Sequence, residues 1–189
     1  MLENLFEECS NQWAQVKNSK KHAFRFFTLA TISSDGMPHI RTVVLRDFNP
    51  MNISFTIYTD TRSQKLKELE RDKRAQLLFY DPKRMLQIIV SVVLAEKVNE
   101  NKIYNAIPEQ SKKDYSSMIT PGSEIKSPDE LKFNFSKGFF SKLIFKAETI
   151  EYLRLKRPNH LRAFFTIEDN WKGIFLVPCD IFALFFFVI

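Results

Sequence analysis

Short apolar runs rich in β-branched and aromatic residues recur along this chain, and turn-forming residues separate them. The clearest pair, FRFFTLATIS and HIRTVVLRDF, flanks SSDGMP, where Asp35 and Gly36 suit a tight turn with a positive φ. Such runs joined by short links predict an antiparallel meander of about eight strands. The predicted strands are 24–33, 39–48, 53–59, 75–81, 84–98, 143–155, 161–168 and 171–178.

Helices are predicted at the edge of this sheet. Residues 2–20 repeat apolar side chains at helical spacing, which indicates a helix packed on the strands. The apolar positions are Leu5, Cys9, Trp13 and Val16. A second helix is predicted over 63–71 behind the N-cap Ser63, and the polar segment 99–136 is expected to hold one or two short helices and a loop.

The pattern therefore predicts a mainly β protein, a β-barrel with peripheral helices. A single domain is expected over 1–178. The last residues, CDIFALFFFVI at 179–189, are nearly all apolar but too few for a transmembrane helix. They fit a buried final strand, a dimer contact or a tail without a role in the fold.

The balance of charges favours an anionic partner. The 189 residues carry a formal net charge of +6, which suits nucleic acid, a phosphorylated cofactor or an acidic surface, and a solvated basic surface explains it equally well. The cysteines, Cys9 and Cys179, stand far apart and no CxxC pair occurs, so no metal site is expected. The acidic opening MLENLFEECS is unlike a secretory signal, so we expect a cytoplasmic protein.

Familiar catalytic signatures are missing from the sequence. It contains no GxSxG, P-loop, HExxH or GxGxxG pattern, and His22, His39 and His160 show no metal-ligand spacing. We therefore assign no catalytic residue.

One apolar strand is bracketed by two arginines, Arg41 and Arg46, in the run RTVVLR. Side chains alternate faces along a strand, so the two arginines point to opposite sides. The pattern fits a binding site, and it equally fits two side chains that extend to solvent. Gln87, inside the apolar run MLQIIVSVV, must find hydrogen-bond partners, either across a dimer or on the polar edge of a ring-shaped ligand.

The run YTDTRSQK lies where a strand passes into a helix N-terminus. Such a junction offers free backbone N–H groups and a positive dipole end. Ser63 adds a hydroxyl, and Arg62 and Lys65 add positive charge. The segment is suited to hold a phosphate, and it also fits an ordinary capped helix with basic residues on its outer face.

Taken together, RTVVLR at 41–46, YTDTRSQK at 58–65 and LLFYDPKRMLQ at 77–87 resemble the pyridoxamine 5′-phosphate oxidase superfamily. The similarity is greatest to its related branch of FMN-binding proteins, and it continues in ETIEYLRLKRPNHLRAFF at 148–165. The resemblance implies a Greek-key antiparallel split barrel of six to eight strands. It also implies a homodimer with FMN at the subunit interface.

The resemblance further implies roles for individual residues. Arg41, Ser63 and Lys65 are expected at the phosphate, and Arg46, Gln87 and Arg162 at the flavin ring. Arg46, Tyr104 and His160 are expected on the substrate side. The full set of expected cofactor residues is Arg41, Thr42, Val43, Val44, Arg46, Tyr58, Thr59, Ser63, Gln64, Lys65, Gln87 and Arg162.

On the substrate side the chain departs from the pattern that it resembles. Pro108 stands where the family has an Arg that binds substrate phosphate, Pro158 replaces a second Arg, and Leu153 replaces a Trp beside the flavin. Each lost charge-assisted contact costs about 1.5–3 kcal/mol of binding. Pyridoxamine-phosphate oxidase activity itself is therefore not expected.

The sequence thus predicts an FMN-dependent oxidoreductase that acts on a small molecule, without a nucleic-acid or membrane partner. A non-catalytic carrier or sensor that binds flavin or pyridoxal phosphate is the alternative. A relative that takes haem or a deazaflavin is a further possibility.

Overall fold

The structure is a computed structural model and describes residues 1–99, 101–136 and 138–178. The predicted tail at 179–189 lies outside these residues. The described chain is mainly β, as predicted, and its helices are α1 (Leu2–Gln15), α2 (Gln64–Arg71), α3 (Asn101–Ala106) and α4 (Glu109–Lys112). Its strands are β1 (Phe26–Ile32), β2 (Pro38–Val44), β3 (Asp47–Asn49), β4 (Ser54–Asp60), β5 (Arg74–Asp81), β6 (Leu86–Val98), β7 (Phe140–Arg154), β8 (Leu161–Thr166) and β9 (Ile174–Phe175).

All nine described strands belong to one antiparallel sheet. The strand order is β2-β1-β5-β6-β7-β4-β3. Outside this order, β8 pairs with β7 along one edge and with β9 along the other. β7 pairs with β6 along one edge, while its other edge pairs first with β4 and then with β8. Because β7 changes neighbours along its length, and because the β6–β7 register shifts twice, the sheet curls instead of lying flat. The predicted antiparallel barrel class is confirmed.

The core fills the concave side of this sheet, with α1 laid across it. The four apolar residues predicted for the helix face are all buried. Trp13 is fully buried and meets Phe55 edge-on, with ring centroids 4.9 Å apart, and it also packs on Phe48 and Phe79. Helix α1 ends at Gln15 and continues only as a 3₁₀ turn over Val16–Asn18, so it is shorter than predicted.

Two predicted strands differ from the observed ones. The run 39–48 forms two strands, because β2 ends at Val44 and the chain turns before β3 begins at Asp47. The last predicted strand, 171–178, is only two residues long in the structure. Asn170 and Trp171 both have positive φ there, at 51° and 60°, so they extend the turn and shorten the strand.

The first predicted turn is confirmed, since Gly36 has φ of +85°. The polar segment contributes α3, α4 and short 3₁₀ turns, as expected. None of the helices in the described ranges is long and apolar enough to cross a membrane.

Candidate functional site

A pocket of about 460 Å³ opens between β2, the end of β4, the start of α2 and the loop that follows α4. It draws together residues that are up to 80 positions apart in the chain. Its lining residues are Arg41, Thr42, Val43, Val44, Arg46, Tyr58, Thr59, Asp60, Ser63, Lys65, Asp114, Tyr115 and Pro121. The lining includes all of the expected cofactor residues except Gln64, Gln87 and Arg162.

One end of the pocket is built by the junction between β4 and α2. The Lys65 ammonium donates to Thr59 Oγ1 at 3.2 Å, and Thr59 Oγ1 lies 3.0 Å from Ser63 Oγ. Both hydroxyls are buried. Ser63 is the N-cap of α2 by position, but its hydroxyl is turned to Thr59 and makes no cap hydrogen bond to the described helix. The first backbone N–H groups of α2 are therefore not capped by the Ser63 side chain, and Ser63 and Lys65 at this helix end line the pocket.

The electrostatics of this end centre on Lys65. Burial and the neighbouring Arg41 lower the pKa of Lys65, and Asp60 and Glu68 act in the opposite direction. A partly desolvated ammonium beside a second cation is stabilised by an anion. The donor set of one ammonium, two hydroxyls and a helix N-terminus is therefore suited to phosphate.

The sequence suggested that Arg62 adds positive charge to the phosphate end of the pocket, but the structure engages its guanidinium elsewhere. Its guanidinium makes a two-pronged ion pair with Asp60, at 2.9 and 2.6 Å, and donates to the Ser117 carbonyl at 2.9 Å. It also lies 3.5 Å above the ring of Phe139. Arg62 thus fastens the loop after α4 to the β4–α2 junction and neutralises Asp60.

Arg41 reaches the same end of the pocket from β2. Its guanidinium donates to Glu68 Oε2 at 3.0 Å and to the Thr31 hydroxyl. Glu68, which lies on α2 and is buried, did not emerge from the sequence. Nothing in the pattern of α2 separates it from Glu70, which is exposed.

Arg46 marks the other end of the pocket. Its guanidinium lies 5.3 Å from the ring of Tyr58 and 3.5 Å from the hydroxyl of Tyr115. Its buried Nε has no hydrogen-bond partner among the described atoms. Val43 and Val44 supply apolar wall beside it. A planar ligand with acceptor atoms along one edge fits such a surface, because the Arg46 guanidinium supplies N–H donors beside an apolar wall.

Burial raises the pKa of Tyr115, so its hydroxyl stays protonated near neutral pH. Tyr115, Asp114 and Pro121 were not predicted as site residues. They come from the polar segment 99–136, whose sequence shows no periodicity that would place one side chain against another.

Three expected cofactor residues lie elsewhere in this chain. Gln64 is exposed on α2. Gln87 on β6 pairs in register with Leu153 on β7, and Leu153 pairs with Arg162 on β8. Directly paired residues point to the same side of a sheet, so these three side chains form one row on the convex face, away from the core. Arg162 is held there by Glu151, at 2.9 Å.

The two remaining expected substrate residues also lie outside the pocket lining. Tyr104 is buried in a small aromatic cluster with Tyr115 and Phe140, and its hydroxyl donates to the Phe135 carbonyl at 3.2 Å. His160 follows β7, where its Nδ1 accepts from the Lys156 backbone N–H at 3.1 Å.

A curled antiparallel sheet of this kind is the split-barrel fold. The family model for the pyridoxamine 5′-phosphate oxidase FMN-binding domain matches residues 5–93. Over these residues, just under half of its length, the chain is similar to the FMN-binding domain of the pyridoxamine 5′-phosphate oxidase family.

Relatives and solved structures agree with this placement. A pyridoxine/pyridoxamine 5′-phosphate oxidase of Leptospira interrogans is 29% identical over 82% of this chain, and the match spans 63% of that relative's length. One of Aliarcobacter butzleri is 26% identical over 92% of this chain and 87% of the relative. By structure, a pyridoxamine 5′-phosphate oxidase-related FMN-binding protein from Nostoc punctiforme matches 87% of this chain and 94% of its own, with a TM-score of 0.70 at 20% identity. PhzG from Burkholderia lata matches 92% of each chain, with a TM-score of 0.72 at 17% identity.

Proposed function

We propose that this protein binds FMN in the pocket between β2, β4 and α2 and uses it for two-electron oxidation or reduction of a small molecule. The observation that carries the proposal is the composition of the pocket lining. It joins the RTVVLR strand and the YTDTRSQK junction in one cavity, with cations and hydroxyls at one end and an aromatic and apolar wall at the other.

The charges near the β4–α2 junction support a phosphate at that end. Asp60 is paired with Arg62, and Glu68 with Arg41. The carboxylates closest to the junction are therefore neutralised, and the Lys65 ammonium contributes net positive charge. A phosphate monoester carries about −1.5 to −2 charges at pH 7, which such a site would bind by charge-assisted hydrogen bonds.

The Arg46 end would then receive the flavin ring. FMN would supply hydride chemistry, and the chain would position the ring and tune its potential. A guanidinium at the ring edge favours the negative charge that develops there on reduction, which eases hydride acceptance. Val43, Val44 and the ring of Tyr58 would cover the apolar faces of the flavin and keep water away from it.

We further propose that the protein is a homodimer in which the convex face of one chain completes the pocket of the other. The row of Gln87, Leu153 and Arg162 lies on that face and does not line the pocket of its own chain. The same face carries apolar side chains in the alternate positions of β6, such as Ile89 and Val93, which are only partly buried. A second copy laid on this face would bury them and bring the row to its flavin.

The test is an absorbance spectrum of the purified protein, followed by mass spectrometry of any released cofactor. We expect the visible absorbance bands of a bound flavin, with one FMN per chain. Light scattering should report a dimer. A protein that is colourless, and that stays colourless after FMN is added and excess is removed, would refute the proposal.

A non-catalytic carrier or sensor is the second candidate. It is favoured by Tyr104, whose hydroxyl is already engaged by a backbone carbonyl, and by Pro108, which is exposed and has no side-chain donor. Anaerobic reduction by NADH or NADPH and reoxidation by oxygen would separate the candidates. A bound flavin that is inert to both donors and to oxygen favours the carrier.

A further inference from the structure

A buried carboxylate contacts Arg41, one of the residues of the candidate phosphate site. The side chain of Glu68 is only 2% exposed and accepts three hydrogen bonds. They come from Thr31 Oγ1 at 2.5 Å, His39 Nδ1 at 2.6 Å and Arg41 Nη2 at 3.0 Å. Burial raises the pKa of Glu68, but the bonds from Thr31, His39 and Arg41 outweigh that effect, and the net pKa is lowered. The carboxylate is therefore ionised at neutral pH.

These contacts fix the position of Arg41 through residues that do not line the pocket. One arm of the guanidinium is held by Glu68 and the other by Thr31 and the Leu29 carbonyl. A guanidinium has five N–H donors, so this anchoring leaves donors that can face a ligand. An unanchored arginine on a strand loses much rotamer freedom when it binds a phosphate, and an anchored one has lost it already.

We propose that Glu68 is the positioning residue of the phosphate site: it acts through Arg41, holding the guanidinium in the orientation that binds the phosphate of FMN. This inference rests on the proposed function. Glu68 is not among the residues that line the pocket, so it acts without touching the ligand. It has a second effect on Lys65, since Arg41 lowers the pKa of that ammonium and Glu68 raises it. The carboxylate thus allows two cations to share one site.

Two other roles for Glu68 make different predictions. If the carboxylate only joins β1, β2 and α2, its removal weakens the fold and lowers the affinity for every ligand of the pocket. If its charge acts only through space, its removal makes the site more positive and tightens FMN binding. Of the three roles, only the positioning role predicts that binding is weakened for ligands with a phosphate and for no others.

The experiment compares FMN with riboflavin, which has the same ring system and no phosphate. For Glu68→Gln we expect Kd for FMN to rise about tenfold, the equivalent of one oriented charge-assisted contact. Kd for riboflavin should stay within about twofold of the wild-type value, which is ordinary scatter for a site left intact.

A matched control is Glu8→Gln. The Glu8 carboxylate also has three partners, Arg84 at 2.8 Å, Arg154 at 3.1 Å and Tyr152 at 2.9 Å, but it joins α1 to the sheet away from the pocket. It should lower the unfolding midpoint and leave the ratio of the FMN and riboflavin Kd values unchanged.

A double-mutant cycle tests whether Glu68 acts through Arg41. In an Arg41→Met background, Glu68→Gln should have no further effect on FMN affinity, because the group that it positions is gone. If Glu68→Gln does not fold, Thr31→Val tests the same proposal, because it removes a hydroxyl that contacts both Glu68 and Arg41. We expect roughly a threefold loss of FMN affinity from that milder change.

The outcomes distinguish failure of the positioning role from failure of the proposed function. An unchanged or tighter FMN Kd in the Glu68 variant, equal losses for FMN and riboflavin, or additive effects in the cycle would overturn the positioning role and leave the proposed function standing. A wild-type protein that binds neither flavin would overturn the proposed function, and the positioning role with it.

Discussion

Replacement of Lys65 by Met tests the phosphate end of the pocket most directly. The substitution keeps an unbranched side chain of similar length and removes the ammonium that lies 3.2 Å from Thr59 Oγ1. Lys67→Met is a matched control on the same helix. Lys67 is exposed and does not line the pocket, so its removal changes the net charge by the same amount without touching the site.

The expected loss follows from the contact that Lys65 would make. A hydrogen bond to a charged group contributes about 1.5–3 kcal/mol, which corresponds to roughly 10- to 150-fold in Kd. Lys65 is only partly buried, so screening by solvent places the expected loss at the lower end, about 10- to 30-fold. Lys67→Met should change Kd by less than about twofold.

The pH dependence supplies an independent readout, and its sign can be worked out. The second pKa of a phosphate monoester is about 6, so FMN affinity should rise as pH increases through that value and the dianion forms. Burial and Arg41 lower the pKa of Lys65 below its usual range near 10.4. Binding of a dianion requires the charged ammonium, so affinity should fall again as pH rises through that lowered pKa. Lys65→Met should abolish the alkaline decline and keep the acid limb.

Flavin fluorescence gives the measurement, because a bound flavin is usually quenched and Kd can be read from a titration at each pH. Equal weakening of FMN binding by Lys65→Met and Lys67→Met would show a general effect of net charge and would refute a direct contact between Lys65 and the phosphate. Persistence of the alkaline decline in Lys65→Met would refute it as well.

Three further predictions concern the fold and the assembly. Trp13→Ala should lower the free energy of unfolding by about 3–5 kcal/mol in urea titrations, because it empties the centre of the core. Gly173→Ala should cost about 2–4 kcal/mol, because Gly173 has φ of +73° and a Cβ would meet the ring of Phe165, whereas Gly36→Ala, at φ +85° with no described atom within 4 Å, should cost only about 1–2 kcal/mol. Ile89→Glu should shift the protein from dimer to monomer in light scattering, because it places a charge in the middle of the convex face; an unchanged mass would argue against an interface there.

The sequence predicted best those features that depend on contiguous residues. RTVVLR forms most of one strand and YTDTRSQK a strand–helix junction, and most of their residues line one pocket in the structure. The side of α1 that faces the core followed from its spacing alone. These are properties of a single strand or a single helix, and periodicity reports them directly.

Contacts between distant segments could not be predicted in this way. Glu68 meets Thr31 across 37 positions, and Tyr115 meets Arg46 across 69, and neither pair leaves a mark on local patterning. Arg62 was expected to add charge to the phosphate cradle, yet it is directed to Asp60 and the Ser117 carbonyl. Asp60 lies only two residues from Arg62, so the backbone already holds the carboxylate close to the guanidinium. The carboxylate therefore competes effectively with a ligand for Arg62.

The separation of the site into a pocket and a row has a thermodynamic consequence. Arg41, Ser63 and Lys65 line the pocket, while Gln87 and Arg162 lie outside its lining, on β6 and β8. If one flavin contacts the pocket of one chain and the row of another, flavin binding and dimerisation are linked. If dimerisation raises the affinity for FMN by a given factor, FMN binding must raise the dimerisation constant by the same factor. Assembly can then depend on the cofactor, and loss of FMN would expose the partly buried apolar side chains of β6, such as Ile89 and Val93.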